Sequence, residues 1–165
     1  MRDWLELRVI TISARPFMVL LRASLGLPSA LDTTAYCHIN QMQVLVQAIL
    51  GLQNDILGWQ KDHEEGNALN AVEILIQDGK RPKDAMVQIL DAHNDIVQLL
   101  LILARPPYLD TTWMTYIRTI LSSCNAMAEW MLSSRRYQTQ KVIVPGLLRL
   151  MYHDSNTMHN GYFCL

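Results

Sequence analysis

Gly51-Leu52-Gln53-Asn54-Asp55-Ile56-Leu57-Gly58-Trp59-Gln60-Lys61-Asp62-His63-Glu64-Glu65-Gly66-Asn67 ends a strongly apolar segment in a run of polar residues. It continues an apolar stripe of Ile39, Met42, Val46, Ile49, Leu50 and Ile56, whose three- and four-residue spacing predicts one long helix reaching Asp62. Polar oxygens crowd the end of this greasy element. Positions 54, 58 and 62 advance by four residues, so on a helix they drift only about 40° and rise about 6 Å per step. Asn54, Gly58 and Asp62 therefore share a face, on which an amide and a carboxylate offer the hard oxygen donors that magnesium prefers. Magnesium retains waters and completes its octahedron with substrate phosphates, so a partial protein cage suffices.

Outward from this stretch the same periodicity recurs and alternating β-branched runs are scarce, which predicts an all-α fold. Asp32, Thr33 or Thr34 can cap the long helix. Before it, a helix over about Asp3 to Ser13 is expected to break at Ala14-Arg15-Pro16, and a second runs from Phe17 to Leu25 until Gly26-Leu27-Pro28. After it come helices over Ala68 to Gln77, Lys83 to Ala104 and Asp110 to Ser134, separated by Asp78-Gly79-Lys80-Arg81-Pro82 and by Arg105-Pro106-Pro107. Residues 138–165 lack a comparable pattern and read as a divergent tail behind a unit spanning 1–137. Asp91, His93 and Asp95 resemble ligands in print, but residues two apart do not share a helix face, so solvated surface is expected. Asp55, one step from Asn54, is expected on the helix surface or behind the ligands.

The chain has 165 residues, half of them apolar and 18% charged, which is enough to bury a core and too little charge for a disordered chain. Fourteen basic and fifteen acidic side chains leave a net charge of -1, with no electrostatic footprint for nucleic acid. Cys37, Cys124 and Cys164 are odd in number and form no CxxC pair, consistent with a reducing, cytoplasmic location. The N-terminal segment, charged at Arg2, Asp3, Glu6 and Arg8, lacks the apolar core of a secretory signal. The longest uncharged stretch, Thr33 to Asn54, holds too many amides for a bilayer, so no membrane span is expected. No GxSxG, P-loop or other nucleophile motif is present.

Asn54-Asp55-Ile56 with Lys61-Asp62 resembles the second metal motif of the class I terpene synthases, whose pattern is Asn-Asp-(Leu/Ile/Val)-x-Ser/Thr-x-x-x-Glu, often with lysine before the last acid. Gly58 stands where that family has a hydroxyl, and Asp62 replaces its glutamate. Arg8 precedes Asn54 at the distance of the family's diphosphate-sensing arginine, and Arg136-Tyr137 follows at the distance of its Arg-Tyr pair. Trp130-x-x-x-Ser134-x-Arg136-Tyr137 is also similar to the family's final helix. The resemblance covers about residues 3–137 and implies the C-terminal part of the isoprenoid synthase helical barrel.

It also implies a function: a magnesium-dependent terpene cyclase, a carbon–oxygen lyase that ionises a prenyl diphosphate, with farnesyl diphosphate and hence a sesquiterpene product as the expected case. Asn54, the Gly58 position and Asp62 would carry magnesium, while Arg8, Lys61, Arg136 and Tyr137 would hold the diphosphate. Those residue types suit their roles, because arginine's planar fork gives paired, charge-assisted hydrogen bonds to phosphate oxygens, and lysine adds a point charge. Trp130 would face the carbocation, a contact worth roughly 0.5–2 kcal/mol through the ring quadrupole.

Several features depart from the family. No Asp-Asp pair occurs, so the family's aspartate-rich motif for further magnesium ions is missing and the chain is expected to begin in mid-fold. Gly58 leaves a ligand place to water, Asp62 reaches about 1.5 Å less far than glutamate, and the positions three and four after the sensor, commonly Asp and Gly, are Thr11 and Ile12. Half a barrel exposes apolar helix faces, which predicts self-association. The rival expectation is a non-catalytic, degenerate relative that acts by pairing with another chain.

Overall fold

The computed structural model describes residues 2–27, 33–104 and 111–137. They form α1 (Arg2–Thr11), α2 (Ala14–Ser24), α3 (Thr33–Glu64), α4 (Ala71–Gln77), α5 (Pro82–Leu103) and α6 (Thr111–Ser133), with no strand among the described residues. The all-α expectation holds. At 32 residues α3 is about 48 Å long, and α1, α2, α4, α5 and α6 all pack along it.

Two clusters of buried side chains share α3. Toward its N-terminal half, Met18 of α2, Ile39, Met42, Val46 and Ile49 of α3, Leu100 of α5, and Tyr116, Ile120 and Cys124 of α6 close one core. Toward its C-terminal half, Trp4 of α1, Leu52 and Ile56 of α3, Val72 and Leu75 of α4, and Ile89 of α5 close the other. Each valine, leucine, isoleucine or methionine among them contributes roughly 1.5–3 kcal/mol through removal of apolar surface from water. The second core docks α1 and α4 against the C-terminal half of α3, and so positions the site.

The breaks depart from expectation in informative ways. Between α1 and α2 the chain turns at Ser13, whose φ of 57° is left-handed, and α2 begins at Ala14 with Pro16 inside its first turn. Proline breaks helix interiors, but in a first turn its missing N–H would have had no partner, so Ala14-Arg15-Pro16 starts a helix instead of interrupting one. The fourth helix starts at Ala71 and not at Ala68, because the Asn70 side chain caps it, accepting from Val72 N at 2.9 Å. Asn67 N returns to Asp62 O at 2.7 Å across Gly66, whose φ of 68° only glycine adopts readily, and this ends α3. Of the capping candidates, Asp32 lies outside the described residues, as does the tail at 138–165, while Thr33 and Thr34 fall within α3.

His93 is buried, contrary to the expectation of a solvated surface, whereas Asp91 and Asp95 are exposed. The reason is its register on α5: Ala85, Ile89, His93 and Val97 follow at intervals of four and form the face turned to the core. Burial pushes the His93 imidazole below its usual pKa, and Nδ1 lies 3.1 Å from Asn94 Oδ1. α5 is also the one described helix long and apolar enough to cross a membrane by length and composition. Exposed Ile10, Phe17, Val19 and Leu20 give α1 and α2 an apolar outer surface.

Candidate functional site

Three helices converge on the polar turn of α3. From α1, Arg8 reaches across so that Nη2 donates to Asn54 Oδ1 at 2.5 Å and pairs with Asp55 Oδ1 at 2.8 Å. From the turn after α6, Tyr137 accepts a hydrogen bond at its hydroxyl from Asn54 Nδ2 at 3.0 Å, and Met131 of α6 offers its sulfur to the same amide at 3.8 Å. Asn54 is thus clasped on both amide atoms by residues far from it in sequence.

Asp55 is fully buried, which overturns the helix-surface alternative and leaves the one behind Asn54. One residue along a helix turns the side chain by about 100°, and here that rotation points it into the packing of α1 and α4. Its Oδ2 accepts from Trp4 Nε1 and from the backbone N–H of Ala71, both at 3.2 Å. Burial pushes the carboxyl up to about 6 against the opposing pull of Arg8 and those two donors. Arg8 Nε lies buried with no hydrogen-bond partner, leaving part of the guanidinium unspent.

Two turns along α3 from Asn54, Asp62 Oδ1 accepts from Lys61 Nζ at 2.8 Å and Asn67 Nδ2 at 3.4 Å, while Oδ2 accepts from Asn70 Nδ2 at 3.0 Å. Lys61 also reaches Glu65 Oε2 at 2.8 Å, and the two carboxylates hold its ammonium above its usual pKa. Asn70 additionally donates to the backbone oxygen of Asp55 at 2.9 Å, so one buried amide ties α3 to the start of α4.

Gly58 lies between these two nodes. A methyl group placed on it would stand 3.5 Å from Asp62 Oδ2 and 3.5 Å from Tyr137 Cε1, ordinary contact distances. A Cβ is therefore tolerated at this position, beside the Asp62 carboxylate. Gly58→Ser is expected to be accommodated, and to tighten magnesium binding, because it returns an oxygen donor to the shared face. Magnesium titration of the two proteins in the presence of inorganic diphosphate checks this; weaker binding by the serine variant would count against a cation on this face.

Trp130 and Arg136 sit at the margin. Trp130 is half exposed and packs edge-on against the Tyr137 ring, at 5.8 Å between centroids, while the exposed Arg136 places its guanidinium carbon 5.9 Å from the same ring. Trp130 also belongs to an apolar groove of about 430 Å³ lined by Ile12, Phe17, Leu50 and Met127, in the size range of small-molecule sites. Tyr137 thereby joins the polar cluster to an apolar one. Of the residues expected from sequence, Arg8, Asn54, Gly58 and Tyr137 meet directly, Lys61 and Asp62 form the adjoining node, and Arg136 stays outside. Thr11 and Ile12 close α1, Ile12 N returning to Arg8 O at 3.0 Å.

Trp4, Gly51, Asn67 and Asn70 were not foreseen as parts of this site. Asn70 followed by Glu73 has the spacing of a helix-capping signature and could have been found. Glu73 turns outward instead, accepting from Trp59 Nε1 at 3.3 Å and pairing with His63 at 2.9 Å.

A hard cation suits this donor chemistry. Asn54 Oδ1 and the Asp62 carboxylate are oxygens that each attract a positive group of the chain itself, Arg8 in one case and Lys61 in the other. No group of three or more His, Cys, Asp or Glu side chains arranged for a metal occurs among the described residues, so any cation here relies on ligands beyond the carboxylates. A family model described as terpene synthase family 2, C-terminal metal binding, matches residues 1–135. No curated protein and no solved structure matches the chain.

Proposed function

From the premise that the chain belongs to terpene synthase family 2 and carries its C-terminal metal-binding part, we propose that it forms the diphosphate-binding wall of a magnesium-dependent terpene cyclase. The observation that carries this reading is the clasp of Asn54 between Arg8 and Tyr137, which assembles an amide oxygen, a guanidinium and a phenol from three parts of the chain. Asn54 and Asp62 would hold magnesium, with a water taking the ligand place for which Gly58 has no oxygen. When bound, that ion supplies a Lewis acid that neutralises charge on the leaving diphosphate.

The side chains of the protein have separate tasks. Arg8 would offer its guanidinium and Lys61 its ammonium to phosphate oxygens, where a phosphate competes with Asp55 for the first and with Asp62 and Glu65 for the second. Tyr137, whose hydroxyl accepts from Asn54, has its own O–H left to donate. Arg136 is exposed and free to swing in once an anion is present. The groove beside Trp130 excludes water from a hydrocarbon chain, and the indole face stabilises positive charge as the carbon–oxygen bond of an allylic diphosphate ionises. Farnesyl diphosphate is the proposed substrate, a cyclised sesquiterpene the proposed product, and the cytoplasm the proposed location.

Calorimetric titration with inorganic diphosphate tests the reading. Binding is expected to require magnesium and to weaken in Arg136→Ala. A second reading draws on the engagement of both oxygen donors by Lys61 and Arg8: a non-catalytic relative in which these contacts are permanent and the exposed apolar faces of α1 and α2 associate with another chain. A folded protein that binds no diphosphate at millimolar magnesium would favour it.

A further inference from the structure

Position 51 lies inside α3, is buried, and has no left-handed backbone that would call for glycine. Glycine in a helix interior is markedly worse than alanine, so a reason for it must lie in what surrounds the Cα. A Cβ at this position would stand 2.6 Å from Arg8 Cγ and 3.6 Å from Arg8 Cδ and Nε. No carbon tolerates the first of these distances. Cγ is near the root of the arginine side chain, so it cannot step aside while the guanidinium stays where it is.

We infer that Gly51 is the positioning residue for Arg8: its bare Cα is the notch in which the arginine stem lies, and the notch sets the guanidinium across Asn54 and Asp55. The geometry is additive along α3. Gly51 holds the stem, and one turn later Asn54 and Asp55 receive Nη2 at 2.5 and 2.8 Å. The buried Nε, which has no acceptor, lies along the same glycine. A side chain at 51 lifts the stem from α3, separates Nη2 from both partners and moves the group that would meet a diphosphate. The functional part of this inference rests on the reading of Arg8 as an anion-binding residue; the structural part does not.

The test places Gly51→Ala in two backgrounds, the natural sequence and the double variant Arg8→Ala/Asp55→Asn, which removes the stem together with the buried charge it neutralises. Thermal midpoints followed by circular dichroism are expected to fall on adding alanine to the natural sequence. In the double variant the midpoint is expected to rise or stay level, because only helix propensity then remains. A fall in the second background, or no fall in the first, overturns the inference. Calorimetry with inorganic diphosphate and magnesium forms the other arm, in which Gly51→Ala is expected to weaken binding as much as Arg8→Ala does. If Arg8→Ala leaves the affinity unchanged, the anion-binding reading fails and the notch stands on the sign reversal alone. If Arg8→Ala weakens binding and Gly51→Ala does not, the positioning role is overturned and the reading survives.

Discussion

Arg8→Ala is expected to destabilise the chain by about 3–5 kcal/mol, the cost of leaving a buried carboxylate without its cation. Asp55 is the carboxylate concerned; it keeps Trp4 Nε1 and Ala71 N as donors but loses its only neighbouring positive charge at hydrogen-bond distance among the described residues. The pH dependence follows from the direction of its shift. Burial lifts Asp55 from 3.8 to about 6 with Arg8 present, so the folded state holds the proton more tightly than the unfolded chain. A carboxyl raised in this way contributes less to stability as pH climbs from the unfolded value to the folded one, and the contribution is level beyond that. Without Arg8 the folded value rises further and the decline extends to higher pH. Chemical denaturation of both proteins at pH 5 and pH 8 is therefore expected to show the larger deficit at pH 8. Equal deficits at the two pH values would mean that Asp55 is not the group left uncompensated.

Asn54→Ala is expected to lower magnesium-dependent diphosphate affinity about 10–100-fold, the range associated with losing the groups that orient a metal site. The size reflects how much converges on one amide. Its oxygen is the proposed metal donor and accepts from Arg8, while its nitrogen donates to Tyr137. A methyl group in its place removes the donor and at once unclasps the two residues proposed to bind diphosphate. Calorimetry with inorganic diphosphate reads the loss directly, and a variant that stays folded and binds with natural affinity would remove α3 from the site.

The motif around Asn54 was legible because helical periodicity fixes which residues share a face. Asn54, Gly58 and Asp62 needed only the 3.6-residue repeat to be placed together, and Arg8 and Tyr137 were added by resemblance of pattern and spacing. His93 was equally legible in principle, since its place in the row Ala85, Ile89, His93, Val97 carries more information than its chemical type. The expectation that looked at its neighbours at 91 and 95 asked about the wrong period. Pro16 misled for a related reason: its effect depends on whether it falls in a first turn or an interior, which in turn depends on where Ser13 adopts a left-handed backbone.

What the sequence determined by itself is the helical class and the shared face of Asn54, Gly58 and Asp62 at the end of α3, with the oxygen-bearing side chains it carries. These follow from local repeat geometry and side-chain chemistry, which act over a few residues. The tertiary structure decided what each of them touches. Asp55 turned out to be a buried partner of Arg8, Asn70 a tie between α3 and α4, Arg136 an outlying guanidinium, and Gly51 the floor beneath the Arg8 stem. Such relations depend on how α1, α4 and α6 lie across α3, and that docking is set by two apolar cores whose members are scattered along the whole described chain.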